Sequence, residues 1–142
     1  VKFFLNLIPP TSTAQMKKVR FQFGHPVIYT PKKIQLIKKD LISHLEEYKP
    51  ETPYLGALAL RIWWVFPVHN YSHKHLEWRT TRPDTDNLEK LLKDCMTEAG
   101  FWKDDSLVVK EIVSKYWSRK EYGIGIEILE LGKFVEQEEL YG

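Results

Sequence analysis

The chain has 142 residues, 43% of them hydrophobic and 28% charged, which is the composition of a soluble globular fold and the length of one domain. Its 13% aromatic content excludes a solvated, disordered chain, and its longest apolar stretch, the 14 residues from Leu55 to Val68, is too short to cross a membrane and contains Arg61. Net charge is only +2, but residues 1–82 hold 13 Lys and Arg against 5 Asp and Glu, while residues 83–142 hold 8 against 14.

The first part can therefore attract a polyanion, and the second can concentrate metal cations or pair with the first. A single cysteine, Cys95, excludes a disulfide framework and a Cys-based zinc site. The apolar start, Val1 to Pro10, is too short for a signal peptide and no small-residue cleavage site follows, so a cytoplasmic protein is expected.

In chain order, residues 2–8 predict a strand with Phe3, Leu5 and Leu7 on one face, stopped by Pro9-Pro10. Residues 11–30 predict a loop holding a hairpin around Gly24-His25-Pro26. A helix is expected over 31–49, because Ile34, Ile37, Leu41, Leu45 and Tyr48 recur at three-to-four spacing behind Pro31. Leu58, Leu60, Ile62, Trp64 and Phe66 alternate along a strand that closes at Pro67, and a polar loop over 69–83 follows. Trp63 and Trp64 face opposite ways on that strand, which expects one in the core and the other at a protein interface.

A second helix, Asp86 to Ala99, buries Leu88, Leu91, Leu92, Cys95 and Ala99 and stops at Gly100. Trp102 is expected in the core beside Phe101. Residues 107–117 and 123–131 read as an antiparallel hairpin, and an acidic tail covers about 132–142. The expectation is an α+β fold: a small mixed β-sheet with two main helices packed on it, residues 1–142 forming a single domain.

The chemistry concentrates in Arg82-Pro83-Asp84-Thr85-Asp86-Asn87-Leu88-Glu89-Lys90. Two aspartates one residue apart, at the start of a helix, can aim at one point. One of them suffices to cap the helix, an interaction worth roughly 1 kcal/mol. A second acidic pair, Asp104-Asp105, follows Gly100-Phe101-Trp102-Lys103, and Asp105 would return beside Asp84 and Asp86 if the next strand pairs near the helix start. Converging carboxylates without Cys or obligatory His suit Mg²⁺, with Mn²⁺ as substitute, and such a centre can hydrolyse a phosphodiester. Lys90, one helical turn after Asp86, either pairs with it or neutralises charge on a scissile phosphate.

Other motifs fit less well. A calcium EF-hand loop lacks its glycine and terminal glutamate, and Asp84-x-Asp86 does not end a hydrophobic strand as in sugar-nucleotide transferases. His69, His73 and His75 could bind zinc, but they stand among Lys74, Arg79 and Arg82, where solvated or phosphate-facing roles compete.

As a whole, Arg82 to Lys115 resembles the signature of the RusA-type Holliday-junction resolvases. The matching elements are Pro83-Asp84-Thr85-Asp86-Asn87-Leu88-x-Lys90, Asp94, Ala99-Gly100-Phe101-Trp102-x-Asp104-Asp105-x-x-Val108-Val109 and Lys115, about a quarter of the chain. Ile8-Pro9-Pro10-Thr11 is similar too, although the Asn that usually follows closely is missing from Thr11-Ser12-Thr13-Ala14-Gln15.

The resemblance implies a homodimeric, Mg²⁺-dependent endonuclease that cuts four-way DNA junctions symmetrically in recombination and repair, of host or prophage origin and nucleoid-associated. It implies that Asp84, Asp86 and Asp105 hold the metal, with Asp104 a less certain member, and that Lys90 is catalytic. It calls for no nucleotide cofactor. Expected DNA contacts are Lys32 and Lys33 at a lysine-loaded helix start, Lys74, Arg79 and Arg82 in the 69–82 loop, and Lys115. Two other classes remain open: a branched-DNA-binding dimer that does not cut, and a small metal-dependent nucleotide phosphohydrolase.

Overall fold

In the computed structural model, which describes residues 1–13, 18–22, 24–29 and 31–135, the long alternating strand is the centre of the sheet. This is β4 (Leu58–Pro67); its residues Leu58, Leu60, Ile62, Trp64 and Phe66 are all at most 2% exposed. Three further strands complete the sheet: β1 (Lys2–Leu5), β5 (Val108–Ser118) and β6 (Gly123–Glu130), in the order β1-β6-β4-β5. β5 is parallel to β4, and the other two pairings are antiparallel. The mixed sheet of the sequence expectation is present, and β1 is shorter than the predicted strand. β2 (Lys18–Gln22) and β3 (His25–Tyr29) form a separate antiparallel pair around Gly24, as the hairpin signal predicts.

The expected hairpin of β5 with β6 does not form, because β4 lies between them. Residues 119–122 arch across the end of β4, over two strand spacings or roughly 10 Å, which a few extended residues span. The composition explains the order: β4 is apolar almost throughout, whereas Lys110, Glu111 and Ile112 of β5 are exposed, as suits an edge. The arch ends at Gly123, whose φ of +151° and close approach to Leu5 O leave no room for a side chain.

Both helices cover one face of the sheet. α1 (Lys32–Leu45) buries Ile34, Leu41 and Leu45, and a 3-10 turn (Glu46–Tyr48) carries Tyr48 into a stack on Phe3 with ring centroids 4.6 Å apart. α2 (Thr85–Ala99) buries the predicted stripe and stops at Gly100, whose left-handed φ of 97° lets Phe101 N–H return to Met96 O at 3.0 Å. Phe101 and Trp102 are in the core, and Trp102 Nε1 donates to Thr97 Oγ1 at 2.6 Å. Trp64 is fully buried, whereas Trp63 lies on the opposite sheet face beneath Lys2 and Arg61.

Because β4, α2 and β5 form a crossover, α2 runs against both strands. Its N-terminus therefore lies at their carboxyl ends, where sheets of this kind open a crevice. The acidic tail beyond residue 135, with Ala14 and Gln15, lies outside the described residues. No helix among the described residues is long and apolar enough to cross a membrane.

Candidate active site

The segment entering α2 is braced before it reaches the first aspartate. Residues 77–79 add to the edge of β5: Trp117 N–H donates to Glu77 O at 2.8 Å, and Arg79 N–H donates to Lys115 O at 3.1 Å. This register turns Arg79 inward, its guanidinium 4.2 Å from the Phe66 ring centroid and 4.4 Å from that of Trp117, with Nη2 donating to Arg82 O. Further back, His73 stacks on Trp117, and Arg119 donates to the carbonyls of His73 and Asn70. Lys115 Nζ donates to Thr81 O and Pro83 O, both at 2.7 Å. Its ammonium is held below the usual lysine range, chiefly by burial and then by Arg79, with Asp84 acting the other way.

Asp84 then occupies the N-cap position of α2, its carbonyl accepting Leu88 N–H at 3.1 Å. Its carboxylate makes no capping hydrogen bond. The capping alternative is thus not realised at Asp84. Asp86, in the first turn, is exposed as Asp84 is, and both line a polar cavity of about 550 Å³ with Thr11, Thr13, Arg82, Pro83 and Asn87. The cavity sits at the positive end of a helix dipole. Lys90 is exposed one turn further along α2.

The second acidic pair is elsewhere. Asp104 and Asp105 line another cavity, about 460 Å³, with Asp94, Thr97, Glu98 and Lys103 near the other end of α2. Fifteen helical residues at 1.5 Å each put roughly 20 Å between the two ends. The expected return of Asp105 beside Asp84 and Asp86 does not occur within one chain, since β5 starts, rather than ends, at the far end of the helix. Asp104 accepts Ser106 N–H at 2.9 Å, which caps a 3-10 turn and lowers its pKa. Among the described residues no three His, Cys, Asp or Glu side chains stand close enough to hold a metal.

Two carboxylates suffice for Mg²⁺, which takes one or two of them and keeps waters or substrate phosphates on its other positions. Asp84 and Asp86 fit that role as hard, anionic, accessible donors. Thr11, Thr13 and Asn87 are not among the site residues expected from sequence; the Pro-Pro-Thr segment is the signal for the two threonines, and Asn87 stands inside the Asp84–Asp86 signature itself. Of the expected DNA contacts, Lys74 and Arg82 are exposed in the loop and Lys32 and Lys33 on the first turn of α1. The cationic ends of Arg79 and Lys115, the other two expected contacts, meet rings and carbonyls of the chain itself.

Sequence patterning also missed Glu89, 4% exposed in the middle of the α2 stripe. Burial first, and Glu111 second, push its carboxyl up to about 8, while Lys93 and the Trp64 indole oppose them. Lys93 Nζ meets Glu111 Oε1 at 2.5 Å beside it.

A family model described as Endodeoxyribonuclease RusA matches residues 8–129. A crossover junction endodeoxyribonuclease of Lactococcus phage r1t is 42% identical over 55 residues, 39% of this chain and 41% of that protein. A crossover junction endodeoxyribonuclease of Escherichia coli O139:H28 (strain E24377A / ETEC) is 47% identical over 51 residues, 36% of this chain and 42% of that protein. Each match spans about two fifths of the relative's length.

Proposed function

The chain belongs to the RusA endodeoxyribonuclease family, and we propose that it is a Mg²⁺-dependent, structure-selective endonuclease that resolves four-way DNA junctions as a homodimer. The observation that carries this reading is the Asp84–Asp86 pair: two accessible carboxylates free of capping bonds, in a polar cavity at the positive end of α2. The names of the two relatives, both crossover junction endodeoxyribonucleases, supply the substrate class.

Asp84 and Asp86 would hold the ion. When bound, Mg²⁺ supplies charge that acidifies an attacking water and stabilises a leaving oxygen. Arg82, on the cavity wall, meets a backbone phosphate, and the exposed Lys90 offsets negative charge developing on the scissile group. Lys32, Lys33 and Lys74 remain available for sequence-independent phosphate contact.

Asp105 joins this cavity from the second protomer, since α2 holds its own chain's Asp105 at the far end. A two-fold dimer then presents two sites to the two like-oriented strands of a junction. A DNA-processing role in recombination and repair, in the cytoplasm and on the nucleoid, follows from that activity.

The test offers an immobile four-way junction, a matching linear duplex and a mononucleotide to the protein, each with Mg²⁺ and with EDTA. Paired nicks across the branch point, with Mg²⁺ only, are expected. Junction binding without nicks under any divalent metal would favour a non-catalytic binder, and turnover of the mononucleotide without junction preference a phosphohydrolase.

A further inference from the structure

We propose that Lys115, backed by Arg79, is a positioning residue that sets where the Asp84 carboxylate points. The inference rests on the nuclease reading above and goes beyond it. Lys115 Nζ donates to Thr81 O and to Pro83 O, both at 2.7 Å, and Pro83 is the residue next to Asp84. An ammonium shared by two carbonyls on alternate residues fixes the path of the chain just where it must turn into α2. Arg79 fixes the carbonyl between them, donating from Nη2 to Arg82 O.

Three successive alternate contacts therefore clamp residues 81–83, and both cations come from rigid surroundings. Lys115 stands on β5 opposite Trp64 of the central strand, and the Arg79 guanidinium lies against the edge-to-face pair of Phe66 and Trp117. Pro83 itself is buried and its bond to Lys115 is part-buried, so this carbonyl, the one next to Asp84, does not exchange its donor freely for water. Asp84, by contrast, has no capping bond of its own to orient its side chain. Its backbone is held from β5, and the carboxylate inherits its direction from that hold. Two of the three ammonium donors of Lys115 are taken by backbone oxygens of the segment that enters α2.

The experiment compares the unsubstituted protein with Lys115→Met, which removes the donors at similar length, and Lys115→Gln, which keeps an amide donor should the first fold poorly. Circular dichroism and thermal melting establish the folded fraction. Mn²⁺ affinity of the free protein is measured by calorimetry, junction Kd is measured in EDTA, and the single-turnover cutting rate is measured on prebound junction. Support outside the ligand shell is worth about 10–100-fold in metal affinity, and a small misplacement near reacting groups about 100-fold in rate.

The expected result is therefore Mn²⁺ affinity and cutting rate lowered by at least about tenfold in Lys115→Met, with smaller losses in Lys115→Gln. Junction Kd should stay within about twofold, because the side chain touches carbonyls and not phosphate. A weaker junction Kd with a salt slope reduced by about one, at normal cutting rate, would make Lys115 a phosphate contact and overturn the proposal. So would a lowered melting temperature with Mn²⁺ affinity and rate unchanged, which marks a purely structural lysine. Failure of the unsubstituted protein to cut would overturn the nuclease reading instead, and the Mn²⁺ comparison would still decide the role of Lys115.

Discussion

Asp84 stands at the N-cap position of α2 while Asp105 lines a separate cavity with Asp94, Thr97 and Glu98 along the last turns of the same helix, so within one chain the two carboxylates belong to different sites. If both serve one metal, they come from two chains. Mixed dimers of Asp84→Asn and Asp105→Asn protomers decide this. The site that pairs the intact Asp84 of one protomer with the intact Asp105 of the other survives, so single-strand nicking of a junction should return although each variant alone is inactive. Mixed dimers as inactive as their parents would contradict the shared site.

Lys90 is exposed, one turn beyond Asp86. Lys90→Ala should lower turnover by roughly 10²–10³, the size of a lost donor to developing charge. Junction affinity should change little, and single-turnover kinetics on prebound junction separate the two effects. Weakened binding at normal turnover would reassign Lys90 to a phosphate contact.

The buried Glu89 gives the fold a pH dependence. Its carboxyl is pushed up to about 8 from an ordinary 4.5. Between those values the native state holds a proton that the unfolded state releases, so stability is full below about pH 4.5 and declines until pH has passed about 8. Glu89→Gln should therefore raise stability by several kcal/mol at pH 9 and change it little at pH 5. Denaturant melts at the two pH values check this; an equal effect at both would contradict a protonated Glu89.

Cys95 is fully buried, and burial pushes its thiol up to about 12. It should resist alkylation in the native protein at neutral pH and react completely in guanidinium chloride, as mass spectrometry would record. Native-state labelling at the rate of a free thiol would show that α2 opens easily from the sheet.

Much of the fold is legible because burial leaves a period in the sequence. The alternation of β4, the stripe from Leu88 to Ala99 and the stop at Gly100 all state which face is covered. They do not state which strand lies beside which, and the adjacency of β5 and β6 in sequence suggested a pairing that β4 prevents. The site divides in the same way. Asp84 and Asp86 are two residues apart and share a helix start, so their meeting is local. Asp105 depends on the direction in which β5 leaves α2, which no local pattern records. For Arg79 and Lys115, residue type gives a charge without saying which carbonyls and rings of the chain that charge meets.

The central claim is that the Asp84–Asp86 pair drives junction cutting, and the most direct test is nicking of an immobile four-way junction by Asp84→Asn and Asp86→Asn. Asn keeps the size of each side chain and removes one negative charge facing phosphate. Both variants should bind the junction in EDTA at least as tightly as the unsubstituted protein. With Mg²⁺ the unsubstituted protein should give paired nicks across the branch point, and the variants almost none. Cutting by either variant at the unsubstituted rate would contradict the account.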